Sequence, residues 1–99
     1  MARQYDVYRS AGGVLVAVIQ SDLLEETRTR VVAPLLPSER LGRPLSVLNP
    51  EVMIGELQLR LVPQLLATLT VPELGERVGS VAHLRDEITS AMDALLSGI

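Results

Sequence analysis

The sequence predicts a single domain of the β+α class, mainly β, in which short strands are followed by one helix. Residues 5–71 contain short runs of β-branched and aliphatic side chains separated by glycine and proline. After Pro72 the apolar residues instead recur every three or four positions, which is the period of a helix. The chain has 99 residues, 47% of them apolar, which is enough for one packed core. Strands followed by a helix therefore belong to one domain.

The first two strands are predicted to form a hairpin. Residues 5–10 and 14–19 are both rich in β-forming side chains, and the second run is apolar throughout. The segment Ala11-Gly12-Gly13 separates them. Glycine adopts positive φ angles at no steric cost, so a glycine pair between two such runs indicates a tight turn.

A third strand and a loop are predicted next. Thr29–Leu36 is a strand by composition, and Pro34 within it indicates an edge position or a bend, because proline cannot donate to a neighbouring strand. Residues 37–50 contain three prolines and a glycine, which is typical of a loop with at most one short turn of helix.

Two further strands are predicted to pair around a turn at Gly55-Glu56. Residues 52–54 lead into this turn, and the alternation of leucine with polar residues over 57–61 indicates a half-buried strand. Residues 67–71 alternate in the same way and predict one more strand.

The end of the chain is predicted to be one amphipathic helix. Asp86 and Glu87 suit the positive end of a helix dipole, Ser80 or His83 could cap its start, and Gly98 is expected to stop it. The apolar face consists of Leu84, Ile88, Ala91, Met92 and Leu95.

The composition excludes several classes of function. The absence of cysteine excludes disulfides and thiolate chemistry, and the single histidine excludes a two-histidine metal site, so we expect no cofactor. Nine basic residues, all arginine, are scattered among twelve acidic ones, which disfavours direct DNA binding. The longest apolar run, residues 14–19, is too short to cross a membrane, and the N-terminal residues lack a signal pattern. We therefore expect a cytoplasmic protein without a membrane partner.

Several segments, taken in order, carry a resemblance to a known family. They are QYDVY at residues 4–8, VIQSDLL at 18–24, RVVAPL at 30–35, IGE at 54–56, GERV at 75–78, HLRDEI at 83–88 and GI at 98–99. Their order and spacing are similar to those of the CcdB family, the gyrase-poisoning toxins of plasmid toxin–antitoxin modules. The resemblance runs almost from end to end.

The resemblance implies a small SH3-like β-barrel, shared with the messenger-cleaving MazF-like toxins. That fold has a five-stranded antiparallel sheet, a smaller three-stranded sheet and a C-terminal α-helix. It also implies a homodimer that binds the DNA gyrase A subunit and is neutralised by a CcdA-like antitoxin. The antitoxin complex represses its own operon, so DNA is contacted only through the antitoxin.

The same resemblance implies a gyrase-binding surface at the end of the helix and at an apolar pair. Leu23 and Leu24 are adjacent, so in an extended segment only one of them could face the core. Ser97 stands where the family has tryptophan, and Asp93 where it usually has an amide. Because tryptophan is a strong interface anchor, we expect a weaker grip on gyrase. The predicted surface consists of Leu23, Leu24, Asp93, Leu96, Ser97, Gly98 and Ile99.

Antitoxin binding is predicted on a different surface, around the hairpin at residues 9–13 and the loop at residues 39–43. Arg9, Arg40 and Arg43 are the candidate contacts, because arginine pairs well with the carboxylates of an acidic disordered tail.

Two alternative functions remain open from the sequence. One is a homologue that binds antitoxin without poisoning gyrase. The other is a MazF-like endoribonuclease, for which an acid–base cluster of Glu25, Glu26, Arg28 and Arg30 and the single His83 are the candidate residues.

Overall fold

The computed structural model describes residues 2–98, which form seven strands and one α-helix. Short 3₁₀ turns connect them, and each is named below by its residue numbers. The strands and helix are β1 (Asp6–Arg9), β2 (Leu15–Val18), β3 (Thr29–Leu36), β4 (Glu51–Ile54), β5 (Leu57–Leu61), β6 (Ala67–Thr70), β7 (Glu76–Ser80) and α1 (Arg85–Ser97).

All strand pairs are antiparallel and belong to one connected sheet in the order β4-β5-β3-β2-β1-β7, with β6 paired to β3. The long β3 pairs first with β6 and then with β5, so the strands are connected in one sheet, where the resemblance implied a five-stranded and a smaller three-stranded sheet. The sheet curls until its edge strands approach each other. There the Ile54 Cδ1 atom lies 3.6 Å from the position that a Cβ at Gly79 would occupy. The mainly β architecture with a terminal helix confirms the predicted fold class.

The predicted first hairpin is confirmed. Val7 faces Ala17 and Arg9 faces Leu15 across β1 and β2. The Ser10 amide donates to the Val14 carbonyl over 3.0 Å, and the Gly13 amide donates to the Ser10 carbonyl over 2.8 Å. Gly13 has a φ of +88°, the left-handed conformation for which the sequence indicated glycine.

Pro34 does not mark an edge strand, since β3 lies inside the sheet. It faces Val16 of β2 on one side. On the other side its carbonyl accepts from the Val62 amide over 2.9 Å, at the point where the partner of β3 changes from β6 to β5. An N–H at this position would point to the same side as the carbonyl, where the hydrogen-bond ladder is already interrupted between β6 and β5, so proline removes no ladder bond. A central strand therefore tolerates proline here.

The strand β7 was not predicted from the sequence. It pairs with β1, and Arg9 forms an ion pair of 3.0 Å with Glu76 across this pair. Gly75 turns the chain into β7 with a φ of +76°, and a Cβ at this position would collide with the Arg9 carbonyl oxygen. Only glycine fits there, because both the backbone conformation and the close approach exclude a side chain.

The apolar side chains form clusters on both faces of the sheet, as the period-2 alternation of strands requires. On one face Ile88 and Ala91 of α1 are buried, Ile88 against a cluster that includes Val7, Ala17 and Leu61. The other face is covered by the short turn at Val71–Leu74, and its buried cluster consists of Ala2, Tyr8, Val16, Val18, Val32 and Leu74. The predicted helix and its apolar face are confirmed.

The two ends of α1 differ in how well they were predicted. Gly98 ends the helix in the left-handed conformation with a φ of +74°, and its amide donates to the Ala94 carbonyl over 3.1 Å. The predicted caps Ser80 and His83 are wrong. The Ser80 hydroxyl instead accepts from the Ala82 amide, and His83 is exposed in the 82–84 turn from which the helix continues directly. Within residues 2–98, no helix is long and apolar enough to cross a membrane.

Among residues 2–98, burial and hydrogen bonding shift the pKa values of Tyr8 and Glu73. Burial, reinforced by the negative charge of Asp6, raises the pKa of Tyr8 above 10.0. The Tyr8 hydroxyl donates to Asp6 over 3.5 Å, and Arg77 pairs with the same carboxylate over 3.2 Å. In the Val71–Leu74 turn, hydrogen bonds from the Thr70 amide (2.7 Å) and hydroxyl (2.9 Å) lower the pKa of Glu73 below 4.5.

Candidate partner-binding surfaces

The apolar pair Leu23–Leu24 lies on a 3₁₀ turn at Asp22–Leu24, which we call the leucine turn. Leu23 is 93% exposed and Leu24 is 54% exposed. The segment is therefore not extended, and both leucines rather than one face solvent. Ser21 starts the turn, since its hydroxyl accepts from the Leu23 amide (3.1 Å) and its carbonyl from the Leu24 amide (3.0 Å).

The end of α1 presents a second apolar patch. Leu96 is 74% exposed, and Asp93 and Ser97 are exposed beside it. The Ser97 hydroxyl donates to the Asp93 carbonyl one turn earlier over 2.6 Å, which keeps this side chain folded against the helix. Gly98 closes the helix, whereas the predicted contact Ile99 lies outside the described residues.

The leucine turn and the helix end are stabilised by separate sets of hydrogen bonds. Residues between Gln4 and Thr27 make the hydrogen bonds of the leucine turn, whereas those of the helix end run within α1. Within residues 2–98, no hydrogen bond joins the two.

A groove of about 250 Å³ runs between the β1–β2 loop and the 38–40 turn. Arg40 lines it together with Val14 of the hairpin, and both are exposed. The groove thus brings together the two regions in which antitoxin contacts were predicted. Its other lining residues are Gly13, Leu15, Leu35, Leu36, Pro37, Leu57 and Leu59.

The three arginines predicted as antitoxin contacts are not brought together. Arg40 lines the groove, Arg43 is exposed in the following loop, and Arg9 is paired with Glu76 on the β1–β7 edge. Sequence reasoning missed the apolar walls of the groove. The alternation predicted that Leu57 lies with Leu59 and Leu61 on the buried face of a half-buried strand, but Leu57 is 54% exposed at the start of β5.

Comparison with known proteins identifies the family. The family model described as CcdB protein matches residues 4–98, nearly the whole chain. The chain belongs to the CcdB family. This membership places it among the toxins of toxin–antitoxin modules.

A solved structure described as an endoribonuclease from mycobacterial species has the same fold as this CcdB-family chain. The two are 19% identical, with a TM-score of 0.77, and the match covers 96% of this chain and 90% of the other. At this level of identity the likeness shows the fold alone. It confirms that the CcdB-family chain shares its architecture with a ribonuclease, as the resemblance implied.

The candidate ribonuclease residues of the CcdB-family chain do not form one cluster. Arg30 is only 4% exposed, and its guanidinium donates to backbone carbonyls. Glu25, Glu26 and Arg28 are exposed in the loop before β3, whereas His83 lies in the turn before α1. Within residues 2–98, no group of three acidic or histidine side chains is arranged to hold a metal ion.

Proposed function

We propose that this CcdB-family toxin binds the DNA gyrase A subunit through the leucine turn and the end of α1. The observation that carries the proposal is the exposure of Leu23 and Leu96, 93% and 74%, on hydrogen-bonded elements. Large apolar side chains held in this way add little to folding, but they can be buried by a partner. Burying one leucine contributes about 1.5–3 kcal/mol, so the two contacts together would contribute about 3–6 kcal/mol to a complex in which further contacts also take part.

The toxin is proposed to act as a homodimer in the cytoplasm, by binding and without enzymatic chemistry of its own. A two-fold dimer would present two leucine turns and two helix ends to its target. Simultaneous engagement raises the overall affinity without any new type of contact. This would help a surface that lacks a large aromatic anchor, since Ser97 is small and hydrogen-bonded to its own helix.

The groove is proposed to receive the disordered tail of a CcdA-like antitoxin. Its apolar walls suit an aliphatic or aromatic side chain, while Arg40 in the lining and the exposed Arg43 beyond it suit neighbouring carboxylates. The groove and the leucine turn have no lining residue in common. An antitoxin could therefore bind while the gyrase-binding leucines remain exposed, and operator DNA would be contacted through the antitoxin.

Expression of the chain without antitoxin, combined with binding to a purified gyrase A fragment, tests the proposal. We expect growth arrest and a measurable complex. Vigorous growth at high expression and no complex would contradict gyrase poisoning and would favour a homologue that binds only antitoxin. Incubation of the purified protein with RNA distinguishes a binding toxin from an endoribonuclease. Sequence-selective cleavage that is lost on Glu25→Gln would refute a purely binding role.

A gain-of-function variant tests the helix end specifically. Ser97→Trp replaces an exposed, self-bonded hydroxyl by a large apolar anchor and should tighten binding to the gyrase A fragment. Interface anchors of this type contribute about 2 kcal/mol or more, so we expect an improvement of roughly thirtyfold. An unchanged dissociation constant would mean that this part of α1 does not touch gyrase.

A further inference from the structure

The loop that carries the leucine turn is tied to a buried guanidinium. Arg30 donates from Nε to the Ala2 carbonyl (3.2 Å), from Nη2 to the Glu25 carbonyl (3.0 Å), and from Nη1 to the carbonyls of Thr27 (2.7 Å) and Thr29 (2.9 Å). Burying a charged group is costly unless its donors are satisfied. Arg30 meets that condition by collecting carbonyls from both the N-terminal segment and the loop, and so it holds the two together.

Gln20 and Thr27 fix the exit of the leucine turn. The Leu24 carbonyl accepts from the Gln20 Nε2 (3.2 Å) and the Thr27 amide (3.1 Å), and the Thr27 hydroxyl lies 2.9 Å from the carbonyls of both Leu24 and Thr29. Gln20 also donates to the Thr27 hydroxyl over 2.9 Å, and its Oε1 accepts from the Val31 amide over 3.1 Å. The amide side chain therefore links the turn to β3.

The entrance of the leucine turn is fixed as well. The Asp22 carboxylate accepts from the backbone amide of Gln4 over 2.8 Å, and the Gln4 side chain donates from Nε2 to the Ile19 carbonyl over 2.9 Å. Polar contacts thus hold the turn at both ends. Leu23 itself, at 93% exposure, contributes almost no packing that could orient it.

We propose that Gln20, Thr27 and Arg30 are positioning residues that hold Leu23 and Leu24 in the orientation in which a partner buries them. The inference rests on the proposed binding function and adds residues that act on the leucine turn through hydrogen bonds. An apolar side chain on a mobile loop would lose its freedom on binding, which weakens the complex, whereas a turn that is already ordered avoids this loss. The polar contacts thus serve affinity by ordering the leucine turn before the partner binds.

Two variants that remove these bonds without emptying the core test the proposal. Thr27→Val removes the hydroxyl of an exposed residue at nearly constant volume. Gln20→Glu keeps the acceptor for the Val31 amide but replaces the donor to the Leu24 carbonyl by a repelling oxygen. Each should weaken binding to a purified gyrase A fragment about fivefold to tenfold. Amide hydrogen exchange at Leu24 and Glu25 should accelerate, while the thermal midpoint stays close to that of the wild type.

Two matched controls accompany them. Thr27→Ser retains the hydroxyl and should bind within about twofold of the wild type. Gln58→Glu makes the same change of charge at an exposed position of β5, where the side chain donates to Glu51 over 3.3 Å, and should leave gyrase binding unchanged.

The outcomes separate the positioning role from the binding function. Leu23→Asp should abolish binding. If it does and Thr27→Val and Gln20→Glu bind like the wild type, the positioning role is refuted while the docking surface stands. If Leu23→Asp binds normally, the docking surface is refuted, and the positioning role with it. A loss of affinity that only parallels lower thermal stability and faster exchange throughout the chain would reduce these residues to a structural role and overturn the inference.

Discussion

Leu23→Ala should weaken partner binding strongly while leaving the free protein as stable as before. The substitution removes the equivalent of three carbon groups, each contributing about 0.8 kcal/mol when buried. Because Leu23 is 93% exposed in the free protein, nearly all of this contribution is available to the partner. Its full burial in a complex therefore corresponds to about 2 kcal/mol, or roughly a thirtyfold rise in the dissociation constant.

Isothermal titration calorimetry with a purified gyrase A fragment measures the dissociation constant, and urea unfolding measures the free energy of unfolding. We expect the free energy of unfolding to change by less than about 0.5 kcal/mol, as for other exposed side chains. Leu61→Ala is the matched control, since Leu61 is fully buried and its loss should cost about 2–5 kcal/mol of stability. A dissociation constant for Leu23→Ala within twofold of the wild type would refute the argument that this leucine is kept exposed for a partner.

Three further predictions concern the fold. Gly75→Ala should lower the free energy of unfolding by about 3 kcal/mol or more, because its Cβ would collide with the facing strand, whereas Gly12→Ala, in open space, should change little in the same urea assay. Tyr8 should titrate above pH 10.0 by ultraviolet absorbance, and Asp6→Asn should lower that value. The stability from its raised pKa is present below pH 10.0 and is lost as the pH rises through the folded value. Glu73 should titrate below pH 4.5 by NMR; its contribution is present above pH 4.5 and disappears as the pH falls through the lowered value, a dependence that Glu73→Gln should abolish.

Local signals in the sequence were sufficient for the elements that are stabilised locally. The glycine pair between two β-forming runs predicted the β1–β2 hairpin, and Gly55-Glu56 predicted the β4–β5 hairpin. The helix followed from its apolar period and from Gly98. In each case the residues that determine the structure are neighbours in the chain.

Elements that depend on distant partners were missed or misread. The strand β7 contains a single large apolar residue, Val78, and a glycine, so its composition does not indicate a strand. It becomes one by pairing with β1, about 70 residues earlier. Pro34 suggested an edge because proline lacks a donor, but the side on which that donor would lie depends on where β3 exchanges partners.

The candidate site residues, too, were predicted less well where their structure depends on distant parts of the chain. Adjacency predicted that at least one of Leu23 and Leu24 would be exposed, although Ser21 turns the segment into a 3₁₀ turn instead of a strand. Arg30 looked like a candidate for catalysis because charged residues surround it in the sequence. Three of the carbonyls it binds belong to the residues just before it in the chain, but the fourth, that of Ala2, comes from the N-terminal segment 28 residues away, which no local pattern indicates.

The meeting of the sheet edges has a mechanical consequence. Between β4 and β7 the ladder of backbone hydrogen bonds does not continue, and apolar packing spans the gap, with Ile54 and Val78 against the same core cluster as Val52. The barrel is therefore open between β4 and β7. Small changes of its curvature exchange dispersion contacts of about 0.1–0.2 kcal/mol per atom pair and break no backbone bond. A change of curvature there would move the β4–β5 hairpin relative to β7, and with it Leu57 in the wall of the groove.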